Sequence, residues 1–300
     1  MRVFLQFLIV TRHEIVDAFR SKRAITLILL YLLGSIAACN LFVYSLHRIE
    51  DELVEAMGLV PYGEAGGVTR ALWNSDHFRH MLTGLIGDRE LAVQLLSIPP
   101  LAIFFGWVAL SFTPLLVILM STPRIAEEVG TSSARFVLFR TTRGSWCCGK
   151  FAGQSVLLLA ALLLSAVAAW VVGLIRMPSF DQVHSLTAIL SYGLKAWVYA
   201  IAYIGLALGV SQLSRSPVIA TGIALVMMTI LTGVATASGH WRGPGWFRIL
   251  DITYLLTPRG NHMALWHPDF AHLVPGLIIL PALGFLYFSV GHVFFSRRDL

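Results

Sequence analysis

Charged residues are scarce in this sequence. Asp, Glu, Lys and Arg make up 13% of its 300 residues, whereas hydrophobic residues make up 57%. A soluble domain carries about a quarter charged residues, because its surface faces water. With a mean hydropathy of +0.75, this chain needs a lipid bilayer as its solvent, which excludes a soluble enzyme, a disordered chain and a nucleic-acid-binding domain. The net charge of +6 does not imply a nucleic-acid partner, since basic residues set the orientation of membrane proteins.

Disulfide and catalytic patterns are also missing. The three cysteines are Cys39, in an apolar run, and the adjacent Cys147 and Cys148. Neighbouring cysteines rarely bridge each other without strain, so the sequence offers no disulfide framework. No Ser/His/Asp set, carboxylate pair or H-E-x-x-H motif is visible. These absences predict a protein that is not itself an enzyme.

Long apolar runs are abundant. A membrane helix needs about 20 mostly apolar residues, and six runs qualify: Ile25–Leu46, Ile98–Met120, Phe151–Ile175, Ala188–Leu213, Val218–Ala237 and Leu273–Phe295. Over such lengths only helices satisfy the backbone in lipid. The sequence therefore predicts an all-α integral membrane protein with six transmembrane helices.

Lysine and arginine are unequally divided between the two sides of these spans. Six spans place both termini on one side, and that side carries thirteen of the 22 Lys and Arg residues; the other nine are spread over longer loops. The first of those longer loops holds eight acidic residues against four basic ones. By the positive-inside rule, both termini are predicted to be cytoplasmic, in a cell membrane such as the bacterial inner membrane.

The segments outside the spans differ in character. Residues 1–23 mix apolar and charged residues at near-helical spacing, which predicts an amphipathic helix in the cytoplasmic interface, ahead of a six-span domain at 24–300. The outer loop 47–97 is acidic, and the cytoplasmic loop 121–150 is basic. The outer segment 238–272 is rich in aromatic residues, glycine and proline, which predicts short re-entrant or interfacial helices.

One motif matches part of a phosphate-binding loop. Gly144 to Lys150 reads G-x-x-x-x-G-K, but Phe151 stands where the motif requires Ser or Thr for magnesium, and no strand precedes it. We therefore expect this chain to bind no cofactor. Lys150 is interpreted as a positive-inside anchor at the lipid headgroups.

Two further features each allow two interpretations. Histidines cluster on the predicted outer side, where His77 and His80 are the only pair at i, i+3 spacing. They are either hydrogen-bonded interfacial residues or ligands of a metal. Lys195 lies in an apolar stretch beside Trp197 and Tyr199. It either snorkels to the outer interface or contributes to a substrate path.

The loop between spans two and three carries the most informative pattern. Pro123 can begin a helix, Glu127 and Glu128 then lie early in it, where the helix dipole favours negative charge, and Gly130 interrupts it. This predicts a short charged helix that projects from the membrane domain and suits docking of a partner. A solvated loop is the alternative.

Taken together, these features resemble the permease subunits of exporter-like ABC-2 type ABC transporters. The residues that carry the resemblance are Glu128-Val-Gly130-Thr131, Arg143 through Lys150, the turn Ser214–Pro217 and the ending Arg297-Arg298-Asp299-Leu300. Two features depart from the pattern. Thr141-Thr142 stands where a proline usually precedes the arginine of the loop, and the first outer loop is longer than in the simplest members.

The resemblance implies a mechanism and partners. Two permease chains, here a homodimer, would form a pathway, and two cytoplasmic ATPase subunits would dock beneath it and hold ATP and Mg²⁺. A coupling helix that contains Glu127, Glu128, Gly130 and Thr131 would carry the ATPase movement into the spans. The substrate would be apolar or amphipathic, such as a lipid, a drug, a peptide or a lipid-linked glycan. An outer-side protein is a further candidate partner, through the loop 47–97.

Two other functions stay open at this level. One is a secondary carrier that needs no ATPase, although the scarcity of buried charge in the spans disfavours it. The other is a non-transporting membrane anchor or signal-transmission subunit for an outer partner.

Overall fold

The chain folds as a helical bundle. The computed structural model describes residues 2–56, 89–177, 181–240 and 248–297, and every regular element in these ranges is a helix. Six of these helices are long and apolar enough to cross a membrane. The predicted all-α membrane class and the six predicted spans are therefore confirmed.

The helices follow one another with short connections. In chain order they are α1 (Arg2–Arg20), α2 (Lys22–Ala56), α3 (Arg89–Leu96), α4 (Pro100–Ser121), α5 (Pro123–Gly130), α6 (Ser133–Leu138), α7 (Arg143–Arg176), α8 (Gln182–Leu213), α9 (Pro217–His240), α10 (Arg248–Leu255), α11 (Pro258–Asn261), a 3₁₀ turn (His262–Trp266) and α12 (Phe270–Ser296). The membrane-capable helices are α2, α4, α7, α8, α9 and α12.

Helix α8 is the centre of the bundle. It packs against α4, α7 and α12, and 83% of its most apolar stretch is buried, against 11% for α2 and 17% for α9. Three tyrosines of α8 are buried, at positions 192, 199 and 203. The outer surfaces of α2 and α9 are therefore the apolar faces that the single chain leaves to lipid or to another subunit.

Glycines bring α8 and α12 into backbone contact. A Cβ at Gly205 would meet the carbonyl oxygen of Gly284, and a Cβ at Gly291 would meet the backbone of Gly209. Small residues allow membrane helices to approach this closely. These four positions therefore fix the two helices side by side within one chain.

The start of α1, the start of α7 and the end of α12 meet at one end of the bundle, here called the terminal end. Ser145 Oγ donates to the carbonyl oxygen of Val3 at 3.4 Å. Arg143 Nη1 donates to the carbonyl oxygens of Phe295 and Ser296, each at 2.9 Å. The opposite end is called the distal end.

Helix α1 lies against α7. A Cβ at Gly149 would lie 2.7 Å from Val10, and a Cβ at Gly153 would lie 2.8 Å from Glu14, so these glycines permit close packing. The other side of α1 exposes apolar side chains: Val3, Phe4, Leu5, Leu8 and Phe19. Such a surface suits a lipid interface, although the interfacial placement of residues 1–23 and the boundary at residue 24 stay predictions.

The two long distal segments are described in part. Residues 57–88 of the loop 47–97, with His77 and His80, lie outside the described ranges, as do residues 241–247 and 298–300. The described part of the aromatic segment contains α10, α11 and the 3₁₀ turn, residues 248–266, which are called the distal hairpin below.

Candidate functional site

A buried charge cluster lies where α1, α5 and α7 meet. Lys150 Nζ donates to Glu14 Oε2 at 2.8 Å and to Glu128 Oε1 at 2.5 Å. The side chains of Lys150 and Glu14 are each 3% exposed, whereas that of Glu128 is 32% exposed. The predicted headgroup position of Lys150 is therefore wrong: its ammonium group is inside the protein, between two carboxylates.

Hydrogen bonds complete the environment of Glu14. Gln154 Nε2 donates to Glu14 Oε1 at 2.7 Å, and Ser121 Oγ donates to Gln154 Oε1 at 3.1 Å. Arg124 Nε lies 3.6 Å from Glu14 Oε1. Burial raises the pKa of Glu14, but the charges of Lys150 and Arg124 and the hydrogen bonds outweigh it and hold this pKa below its ordinary value of 4.5. Glu14 is therefore an ionised, fully partnered carboxylate at neutral pH.

Helix α5 is fixed to α8 through one side chain. Ser211 Oγ accepts hydrogen bonds from the backbone nitrogens of Ile125, at 3.2 Å, and Ala126, at 2.9 Å, and it donates to the carbonyl oxygen of Thr122. The first N–H groups of a helix have no partner within it. Ser211 supplies that partner from the last turn of α8, a contact that the sequence analysis missed.

The end of α5 contacts the turn between α8 and α9. A Cβ at Gly130 would clash with the carbonyl oxygen of Arg215, so glycine is what allows this approach. Thr131 Oγ1 donates to the carbonyl oxygen of Glu127 at 2.9 Å. Ser132 then adopts the left-handed conformation, with φ of 61°, and the chain turns into α6. Gly130 and Thr131 thus position α5.

The two glutamates of α5 have different environments. Glu128 binds Lys150, whereas Glu127 is exposed and its carboxylate has no described partner. Both line a groove of about 1190 Å³ at the terminal end, between α1, α5 and α6. Phe136 and Phe139 also line it, and they are 77% and 86% exposed. The structure thus brings Glu127, Glu128 and Thr131 together in one groove.

A second cavity, of about 610 Å³, lies in the distal half of the bundle. Helices α3, α4, α8 and α9 and the distal hairpin line it. Tyr199 and Tyr203 share a hydrogen bond of 3.1 Å there, and the His262 ring nitrogen Nδ1 lies 2.5 Å from the carbonyl oxygen of Arg259. Burial lowers the pKa of His262 below 6.5, so its ring is neutral at pH 7.

Lys195 is not among the residues that line this cavity. Its Nζ donates to the carbonyl oxygen of His267 at 3.0 Å and lies 4.7 Å from the centre of the Tyr192 ring. Lys195 is 8% exposed, so the snorkelling interpretation is wrong. The side chain instead ties α8 to the end of the distal hairpin, and a role in a substrate path stays a prediction.

The described histidines have ordinary packing partners. The rings of His267 and His272 stack at 4.9 Å, and the His184 ring lies 3.2 Å from the carbonyl oxygen of Ser97. Within the described ranges, no group of three or more His, Cys, Asp or Glu residues could hold a metal ion.

The segment that matches part of a phosphate-binding motif is helical. Gly144 to Lys150 forms the first turns of α7, and Thr142 Oγ1 caps them by accepting from the backbone nitrogen of Ser145 at 3.2 Å. Gly149 faces α1. This glycine therefore serves helix packing.

Comparison with known families agrees with this architecture. A family model for ABC-2 family transporter proteins matches residues 8–242. The chain belongs to the ABC-2 transporter family. It is accordingly a membrane transport permease, the membrane component of an ABC-2 transporter. A search among curated proteins returns no match to this chain.

Proposed function

We propose that this ABC-2 permease exports an apolar or amphipathic substrate, and that it docks two cytoplasmic ABC ATPase subunits at its terminal end. In this proposal α5 is the coupling helix, and a second copy of the chain completes the pathway. The observation that carries the proposal is the attachment of α5: its backbone is held by Ser211 of α8, while its Glu127 remains exposed.

Attachment on both sides lets α5 transmit movement. Ser211 joins its first turn to α8, and Lys150 joins Glu128 to both α1 and α7. A displacement of α5 by the ATPase therefore acts on three helices at once. ATP need only favour one arrangement of these helices over another for binding to be coupled to the pathway.

The groove beside α5 has the chemistry of a protein-binding surface. It combines the free carboxylate of Glu127 with two exposed aromatic rings, Phe136 and Phe139. Aromatic anchors with a polar rim are typical of protein interfaces. The excess of lysine and arginine on the loops of this end supports a cytoplasmic location, where the ATPase resides.

The first test is co-purification of an ATPase from native membranes. The tagged chain is expected to recover a soluble ATPase, and E127R is expected to recover roughly tenfold less, since about 1.4 kcal/mol of lost binding gives that factor. E52R is the matched control, because Glu52 is also exposed, at 67%, but lies on α2 beyond its predicted span. Equal recovery with E127R would contradict the docking role of α5. A wild-type chain that recovers no ATPase would favour the carrier or the anchor.

The aromatic part of the groove has its own test. F136A combined with F139A is expected to reduce ATPase recovery by a similar factor, because both rings lose contact area at the interface. F294A is the control, since Phe294 is 59% exposed but lies on the span α12. A loss of recovery with F294A alone would place the docking surface elsewhere.

A further inference from the structure

The distal hairpin reaches deep between the spans. Its 3₁₀ turn runs beside α8, so that the rings of Trp266 and Tyr192 lie 5.7 Å apart and those of His262 and Tyr199 lie 6.1 Å apart. His262 is thus the deeper end of this turn, and α11 directly precedes it. The hairpin is therefore re-entrant.

Arg259, on α11, lies near the middle of the membrane. It lines the distal cavity together with Tyr203, which is ten residues before α8 ends at Leu213. At 1.5 Å per residue, Tyr203 lies about 15 Å from that end, half of the roughly 30 Å hydrocarbon core. Helix α12 gives the same level, because Tyr287, nine residues before α12 ends, donates to the carbonyl oxygen of Leu256 at 2.5 Å.

An arginine at this depth requires a partner. Charged residues inside a membrane are rare and face a pathway or an opposite charge. No described carboxylate forms an ion pair with Arg259, and its side chain is exposed at the cavity. The polar groups that share the lining include Tyr199, Tyr203 and His262, none of which carries a negative charge.

The rest of the cavity is apolar and open to one side. Its volume of about 610 Å³ is typical of small-molecule sites. Aliphatic and aromatic side chains dominate its lining, among them Leu95, Ile103, Leu110 and Met228. Trp107 and Met263, which also line it, are 51% and 55% exposed. Within the single chain, the cavity is therefore accessible from the bilayer.

We propose that the distal cavity binds an anionic amphiphile: an apolar body fills the cavity, and one carboxylate, sulfate or phosphate group pairs with Arg259. Guanidinium groups bind such anions with directed, paired hydrogen bonds. The bound molecule enters sideways, past Trp107 and Met263. Its transport rests on the proposed function, since this site names the substrate class of the exporter, but its binding requires only the permease.

The position of the cavity links it to α5. Tyr203, in the cavity lining, and Ser211, which holds α5, are on the same helix, two turns apart. An occupant that contacts Tyr203 therefore contacts the helix that the ATPase moves. Binding at Arg259 is thereby placed to respond to the state of α5.

The test is photolabelling of the full-length permease, without an ATPase, in nanodiscs of zwitterionic phosphatidylcholine. The probe is a long-chain fatty acid with a diazirine, and labelled residues are mapped by mass spectrometry. Labelling is expected on the cavity-lining parts of α4, α8 and the distal hairpin. Dodecanoate is expected to reduce it at least fivefold at a concentration at which dodecanol has little effect. Equal competition by dodecanol, or labelling spread over the lipid-facing surface, would overturn the proposal.

Variants separate the charge from the fold. R259Q is expected to lose labelling roughly tenfold and R259K to keep part of it, whereas R176Q, a neutralised arginine at the distal end of α7, is expected to label like the wild type. S111W fills the cavity from α4 and keeps Arg259, so it is expected to abolish labelling even if R259Q does not fold. Undiminished labelling in S111W, or in a folded R259Q, refutes the site.

Two sources of the same chemistry are distinguished by the bilayer. Replacing part of the phosphatidylcholine with phosphatidylglycerol is expected to compete with the probe if an anionic phospholipid is the occupant, and to leave labelling unchanged if a single-chain amphiphile is. Both results support the site and identify its source. Because no ATPase is present, loss of labelling would leave the ATPase recovery with E127R unaffected, so the two proposals fail separately.

Discussion

The hydroxyl oxygen of Ser211 lies 2.9 Å from the backbone nitrogen of Ala126. This contact joins the last turn of the central helix to the first turn of α5. It also explains why a short helix can start at Pro123 without a capping side chain of its own. In the proposed transporter, the force from the ATPase enters the membrane domain through this hydrogen bond and its neighbours.

Removing that hydroxyl is expected to impair coupling more than folding. S211A should lower the free energy of unfolding by about 1–2 kcal/mol, the usual cost of losing a helix cap, and should abolish substrate-stimulated ATP hydrolysis in the assembled transporter. Thermal unfolding and ATPase assays measure the two effects. S165A is the matched control, because Ser165 Oγ donates to Ser35 Oγ at 2.8 Å in a buried site away from α5. An equal loss of stimulation in both variants would contradict the role of Ser211.

The Glu14–Lys150 pair is expected to dominate the stability of the terminal end. E14A leaves a buried ammonium group short of a partner, which costs about 3–5 kcal/mol, measured by denaturant unfolding in detergent. The exposed pair Arg48–Glu52 supplies the control: E52A should cost no more than about 1 kcal/mol. Combining E14Q with K150M should restore much of the stability. If E52A is as damaging as E14A, burial is not the cause.

The low pKa of Glu14 gives its stabilisation a definite pH range. Because its pKa in the folded chain lies below the ordinary value of 4.5, Glu14 contributes its full stabilisation above about pH 4.5. It loses that contribution as the pH falls through the folded pKa. Unfolding temperatures measured between pH 7 and pH 3 should therefore fall less steeply for E14Q than for the wild type. Parallel curves would exclude Glu14 as the titrating group.

Gly130 is expected to tolerate no side chain. In G130A the new methyl group meets the carbonyl oxygen of Arg215, so α5 or the following turn must shift, at a cost of about 1–3 kcal/mol, and ATPase docking should weaken. At Gly144 a Cβ would meet nothing within 4 Å, so G144A should be neutral or stabilising by up to about 1 kcal/mol. Docking and unfolding measured on both variants test this; normal docking in G130A would show that the turn adapts.

The sequence predicts the spans well because hydropathy is a local property. The runs Ile25–Leu46 and Leu273–Phe295 each lie inside a helix of the structure, and the helix beginning at Pro123 lies where its residues predict. The partners of the charged residues were not predictable in this way. Lys150 looks like a headgroup anchor until the fold brings Glu14 to it from 136 residues away.

Depth in the membrane was equally hidden. Arg259 was counted with the outer loops, because proline and glycine interrupt the segment 238–272 and no apolar run marks it as membrane-embedded. Its position follows only from contacts between the hairpin and the tyrosines of α8 and α12. Re-entrant backbone is tolerated at this depth because surrounding protein satisfies it, and that surrounding is a property of the tertiary structure.

The glycine contacts between α8 and α12 have a mechanical consequence. Since Gly205 and Gly209 meet Gly284 and Gly291 backbone to backbone, the two helices can neither slide nor separate without losing the fit, and they act as one strut through the bundle. A power stroke that reaches Ser211 therefore tilts this strut as a unit. The pathway must open by relative motion of the more loosely packed α2 and α9 around it.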